Sequence, residues 1–257
     1  MSETGLYCYA ITRGLDPAAL EGSAGIAGAP LRLVEHGGLE AVVSEVDLAE
    51  FGEEGLRRNL EDLGWLESVA TTHDAVARLA SEQVPTAPLR LATVFLGADS
   101  VRARLGEWHD AASRALDRIE GRGEWSVKAY VDVDAQETPA AEQEPAEEMG
   151  AGRAYLLKRR AATQRREASA QAGAELAEEI HAALAGGTVL SRRLAPQDRR
   201  LTGHTGEMVL NGTYLVDASG VAAFKDLVAR LASEHPRVRL EVGGPWPPYT
   251  FASLDPQ

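Results

Sequence analysis

The sequence predicts an α+β protein of two domains, the second a modified ferredoxin-like βαββαβ with a long first helix and an acidic insert. Two observations lead there. The chain has 257 residues, more than the roughly 100 to 200 that one compact domain holds. After residue 122 the elements run strand, helix, strand, strand, helix, strand, the order of the split βαβ motif. The expected division is 1–122 for an N-terminal α+β domain and 123–243 for the ferredoxin-like domain. Residues 134–150 form a mobile acidic insert, and 244–257 a proline- and aromatic-rich strap.

The first strand is expected over Leu6–Ile11, followed by Asp16-Pro17, an N-cap with proline at the first helical position. The glycines between Gly22 and Gly28 follow a helix signal and lead into a strand, the reverse of a dinucleotide-binding context, so a plain loop is read there. Leu31–Glu35 and Leu39–Val46, joined by Gly37-Gly38, make a hairpin whose glycines supply the positive φ of a tight turn. From Glu53 to Ser81, Leu56, Leu60, Leu63, Leu66, Val69, His73, Val76 and Leu79 recur at helical steps. One amphipathic helix, broken near Gly64, is expected to cover the sheet. Pro85–Leu96 reads as extended, and Asp99 or Ser100 as the cap of a helix closed by Gly121.

Trp125–Val133 alternates as a strand, and a helix of roughly 50 Å is expected from Arg153 to Ala185, ended by Gly186-Gly187. Its apolar face is read as Leu157, Ala161, Ala168, Ala172, Leu176, Ile180 and Leu184. Strands follow near Thr188–Leu194 and Glu207–Val216, then a helix from Ser219 to His235 and a strand over Val238–Val242.

Composition narrows the function classes. A net charge of −13 argues against nucleic-acid binding, which needs a basic surface. No stretch approaches the roughly 18 apolar residues of a membrane span, and the opening residues lack the basic and apolar regions of a signal peptide, so a cytoplasmic location is expected. The single cysteine, Cys8, permits no internal disulfide and is read as a buried structural thiol. No cofactor or metal is expected. Neither G-x-S-x-G, H-E-x-x-H nor a phosphate-binding loop occurs. Among six histidines, His73 shares a helix face with Trp65, Val69 and Val76 and reads as packed, while His204 lies in a small polar loop with only Glu207 near. An enzyme built on His73 or His204 is therefore the weaker reading.

Two segments look made for contact. The long helix carries Lys158, Arg159, Arg160, Arg165 and Arg166 in its first half and Glu175, Glu178 and Glu179 in its second, opposite to what the helix dipole favours. The acidic insert, an acidic partner protein, or plain solvation could each offset the basic half. The strap around Gly243-Gly-Pro-Trp-Pro-Pro-Tyr-Thr-Phe251 cannot be a helix or a central strand, because its prolines fix φ and remove donors. Its Trp246 and Tyr249 are read as docking residues, on this chain or on another.

An ordered set of segments carries a resemblance. They are Leu6-Tyr-Cys-Tyr-Ala-Ile11, Leu39-Glu-Ala-Val-Val-Ser-Glu-Val46, Trp65-Leu-Glu67 with His73, and Pro88-Leu-Arg-Leu-Ala-Thr-Val-Phe95. Glu124-Trp-Ser-Val-Lys128, Gly152-Arg-Ala-Tyr-Leu-Leu-Lys158, Asn211-Gly-Thr-Tyr-Leu-Val216 and Gly244-Pro-Trp-Pro-Pro-Tyr-Thr-Phe251 continue it. Together they resemble the gas vesicle protein F and protein L family over nearly the whole chain. The resemblance implies a non-enzymatic accessory or minor shell component. It also implies binding to the shell-forming gas vesicle protein A on the gas-facing side, and association with other accessory proteins. A soluble chaperone absent from the finished vesicle is the alternative.

Overall fold

A computed structural model of the chain describes residues 3–131, 151–197 and 206–254, with the side chains of 151–158 excepted. The acidic insert and His204 lie outside the described residues. Contacts divide the chain into two compact units, Met1–Glu124 with Gly244–Gln257, and Trp125–Gly243.

In the first unit, β1 (Thr4–Thr12), β2 (Arg32–His36), β3 (Leu39–Asp47), β4 (Thr86–Pro88) and β5 (Val94–Phe95) form one sheet in the order β2-β3-β1-β4, with β5 also on β1. The pairs are antiparallel. The β2–β3 hairpin turns at Gly37 and Gly38, with φ of 63° and 81°, values that tight two-residue turns demand. Asp16 caps a single 3-10 turn, Pro17–Leu20, through the Ala18 amide at 2.9 Å.

β1 is buried on both faces, which explains its unbroken apolar run. A register shift between Cys8 and Ala10 resets the alternation. Tyr7 and Tyr9 therefore face one layer, and Cys8 and Ile11 the other. Burial pushes the Cys8 thiol up to about 12, so it stays protonated and inert.

A short helix that was not expected, α1 (Leu48–Phe51), comes first, and the helix expected over 53–81 with a break near Gly64 is two, α2 (Glu53–Asn59) and α3 (Leu63–Ser81). The break falls before Gly64, because the Asp62 carboxylate accepts from the Gly64 and Trp65 amides at 2.9 and 3.2 Å and starts α3 afresh. Leu60 and Leu63, assigned to the apolar stripe, flank that corner and are 47% and 79% exposed. Val69, His73 and Val76 are buried as the periodicity requires. On the opposite face lies α4 (Ala98–Ile119), with Val101, Leu105, Ala112, Leu116 and Ile119 buried. Its cap is Gly97, one turn earlier than Ser100. The Ser100 hydroxyl accepts from the Gly97 amide at 3.2 Å and donates to the Gly97 carbonyl at 2.8 Å.

In the second unit, β6 (Arg122–Val131), α5 (Ala151–Ala185), β7 (Leu190–Arg193), β8 (Glu207–Asp217), α6 (Val221–Glu234) and β9 (Val238–Trp246) follow in sequence. The sheet order is β7-β8-β6-β9. Trp125, Val127 and Ala129 of β6 and Leu210, Tyr214 and Val216 of β8 pack with Ala177, Ile180 and Leu184 of α5 and Phe224, Val228 and Leu231 of α6. β9 runs further than Val242 and includes Pro245, which an edge strand tolerates because its outer amide has no ladder partner to serve.

Among its described side chains, the fully buried positions of helix α5 lie in its second half. Ala177, Ile180 and Leu184 are fully buried and Leu176 is half-buried, but Ala168 and Ala172 are exposed, so the expected apolar face does not run the helix length.

Candidate functional site

The first unit holds a polar and aromatic cluster around α3 that periodicity alone did not assemble. The Tyr7 hydroxyl accepts the Ala92 amide at 3.0 Å and hydrogen-bonds His73 Nδ1 at 3.0 Å. Tyr9 works alike, accepting the Ile26 amide at 2.8 Å and lying 2.7 Å from the Ser44 hydroxyl. The rings interlock: Tyr7–Tyr9 centroids are 4.8 Å apart, and His73 stands 5.7 Å from each tyrosine. Burial pushes the His73 pKa down, against smaller upward pulls from the Leu89 backbone and the Asp74 carboxylate. His73 Nε2 is buried without a well-formed hydrogen bond. Burial thus favours the neutral ring, packed between the two tyrosines.

The strap closes over this cluster. Tyr249 sits 6.2 Å from the His73 ring and also meets Asp74. Burial, and then the Asp74 charge, raise its pKa. Adjacent residues on α3 thus touch the same strap residue, although their side chains leave the helix in different directions. Trp246 lies under the Arg78 guanidinium at 5.2 Å, and Arg78 is fixed by Asp74 at 2.9 Å. Glu124 accepts from the Thr250 amide at 2.9 Å and its hydroxyl at 2.7 Å, while Arg118 donates to the Phe251 carbonyl at 2.9 Å. Phe251 and Ala252 are buried, whereas Trp246 and Tyr249 stay 42% and 39% exposed. Sequence reasoning singled out Trp246 and Tyr249 and missed Glu124 and Arg118, whose partners lie 126 and 133 residues away. A cavity of about 560 Å³ opens beside α3, lined by Ser23, Asp74, Arg78, Leu79 and Glu82.

On α5 the charges separate. Arg159, Arg160, Arg165 and Arg166 are exposed, and among the described residues none of the four makes an ion pair; the Lys158 side chain is outside that set. Arg159 and Arg166 share a helix face, while Arg160 and Arg165 project to other sides, so the positive charge surrounds the helix. The acidic half is compensated in part: Glu178 pairs with Arg193 at 2.7 Å, and Glu179 lies 3.8 Å from His235. Nearby, His181 Nδ1 lies 2.9 Å from the Tyr214 hydroxyl, and burial followed by Arg193 lowers its pKa.

Among the described residues, no group of three or more His, Cys, Asp or Glu is arranged to hold a metal ion. No helix among them is long and apolar enough to cross a membrane. What the fold presents is a mixed α+β protein with antiparallel sheets and two chemically distinct surfaces, a basic helical segment and an aromatic strap.

Comparison with known proteins places it further. The family model for the gas vesicle synthesis protein GvpL/GvpF matches residues 5–253, and the chain belongs to that family. It is 41% identical to gas vesicle protein L of Streptomyces sp. strain CB03234 over 252 residues, covering 96% of this chain and 92% of that protein. To gas vesicle protein F of the same strain it is 27% identical over 260 residues, 95% and 98% of the two chains. The crystal structure of the gas vesicle protein GvpF from Anabaena sp. PCC7120 superposes with a TM-score of 0.68 at 19% identity, covering 97% of this chain and 96% of that one, which shows a shared fold. The protein's role is in gas vesicle formation, alongside other gas vesicle proteins.

Proposed function

We propose that the protein is a non-catalytic accessory or minor structural component that binds gas vesicle protein A, the shell-forming subunit, and brings it to the growing shell. Family membership over residues 5–253 is the observation that carries this reading. The physical need is plain: a subunit with a water-repellent face aggregates unless a partner masks it before assembly. Higher identity to protein L than to protein F of one strain, 41% against 27%, supports an L-like place among the accessory proteins. Gas-facing location within the shell belongs to the same proposal.

Two separate contact surfaces are proposed: Lys158, Arg159, Arg160, Arg165 and Arg166 on the second unit, and the exposed edges of Trp246 and Tyr249 on the first. Exposure of the four arginines and their lack of acidic partners among the described residues support a contact with an acidic protein surface. The second unit is proposed to be a ferredoxin-like module. Its β6-α5-β7-β8-α6-β9 succession and β7-β8-β6-β9 order support that reading, and the proposed division stays 1–122, 123–243 and 244–257.

The test is co-expression with gas vesicle protein A and capture on the tagged chain. Shell protein retained by the parent and lost when Arg159, Arg160, Arg165 and Arg166 are changed to Glu, or when salt is raised, is the expected result. Failure to retain shell protein at both low and moderate salt overturns direct shell contact. Detection of the chain in washed vesicles separates a shell component from a chaperone that leaves.

A further inference from the structure

We infer that residues 246–254 are a docked intramolecular ligand. On this reading the first unit carries a binding site for a proline–aromatic segment bearing a threonine, filled here by the protein's own strap. The inference does not rest on the shell-binding proposal.

The site is built from places far apart in sequence: Asp74 and Arg78 on α3, Arg118 at the end of α4, and Glu124 on β6. Each makes a directed contact with the strap rather than a general apolar one. The Glu124 carboxylate, buried to 7% exposure, takes both hydrogens that Thr250 can offer, at 2.9 and 2.7 Å. A buried carboxylate so placed selects a hydroxyl-bearing residue, because any side chain lacking that donor leaves an acceptor position unmet. Arg118 reads the Phe251 carbonyl, a backbone contact that fixes position along the segment. Arg78 over Trp246 and Tyr249 beside His73 read the two exposed aromatic rings.

The segment itself is shaped for docking. Pro247 and Pro248 are buried, and the amides of Tyr249 and Ala252 turn back onto the Pro247 and Pro248 carbonyls, each at 2.8 Å. Prolines fix φ beforehand, so little chain entropy is lost on binding, which is how proline-rich ligands are recognised generally. Two glycines, Gly243 and Gly244, precede it, and Gly244 holds φ of 128°, a conformation that side chains resist.

The experiment uses the full chain carrying Tyr249→Ala and Thr250→Val, which weakens the strap and leaves its seat intact. A labelled peptide of residues 244–254 is titrated by fluorescence anisotropy. Binding at least tenfold tighter to the variant than to the parent, and lost when the peptide carries Thr250→Val, is expected. Binding to neither chain, or equally to both, overturns the inference. Amide exchange on the unaltered parent provides a check that needs no variant. Strong protection of the Thr250 and Ala252 amides is expected, and exchange at the unprotected rate also overturns it.

Discussion

Burial holds the His73 imidazole neutral, so its proton affinity is lower in the folded protein than in the unfolded chain. The unfolded state takes up the proton first as pH falls. His73 therefore contributes stability that is complete above the unfolded value of about 6.5 and is lost progressively below it. Replacing His73 with Gln keeps an acceptor for the Tyr7 hydroxyl and removes the titration. Denaturant melts at pH 7 and pH 5 should show a smaller loss for the variant than for the parent, and equal losses would disprove the assignment. Tyr7→Phe strands the Ala92 amide and removes the His73 hydrogen bond, with an expected cost of about 1–3 kcal/mol in the same melts. The sequence identified His73 as a packed residue from its place on the helix face. Its partner Tyr7 was not legible, because 66 residues separate them and no local rule spans that distance.

Helix α5 shows where periodicity stops informing. Its apolar positions recur along 35 residues, yet among the described side chains the buried ones, Ala177, Ile180 and Leu184, lie after Gly173. Leu184→Ala should cost about 2–5 kcal/mol by thermal melt, since it empties a packed position. Ala172→Leu, on an exposed site, should change stability by less than about 0.5 kcal/mol. Reversing Arg159, Arg160, Arg165 and Arg166 should likewise leave the melting curve almost unchanged while affecting partner capture. A large stability loss would mean that these side chains serve the fold. The helix and its ends were legible from composition and Gly186-Gly187, whereas the length of its packed part depends on how far the sheet extends. The corner at Asp62 makes the same point at smaller cost. A capping carboxylate three residues before Trp65 outcompeted a stripe of leucines, and Leu63 was left in solvent.

For the chain as a whole, the strap makes the first unit discontinuous. Removing 247–257 takes away the buried Phe251 and Ala252 and leaves the Glu124 carboxylate without Thr250. Amide exchange should rise across α3 and stay unchanged in β8; a uniform rise across both units would contradict a strap that serves only the first. By itself the sequence determined the order of elements, the two hairpin glycines, the buried β1, the long helix and the family, because turn residues, apolar periods and motif order are local properties of the chain. Only the tertiary structure decided which layer each face of β1 meets, how much of α5 is covered, and that Glu124 and Arg118 hold the strap. Those outcomes follow from contacts between residues far apart in sequence, 66 positions for Tyr7 and His73 and 126 and 133 for the strap, where burial and hydrogen-bond geometry, rather than pattern, select the partner.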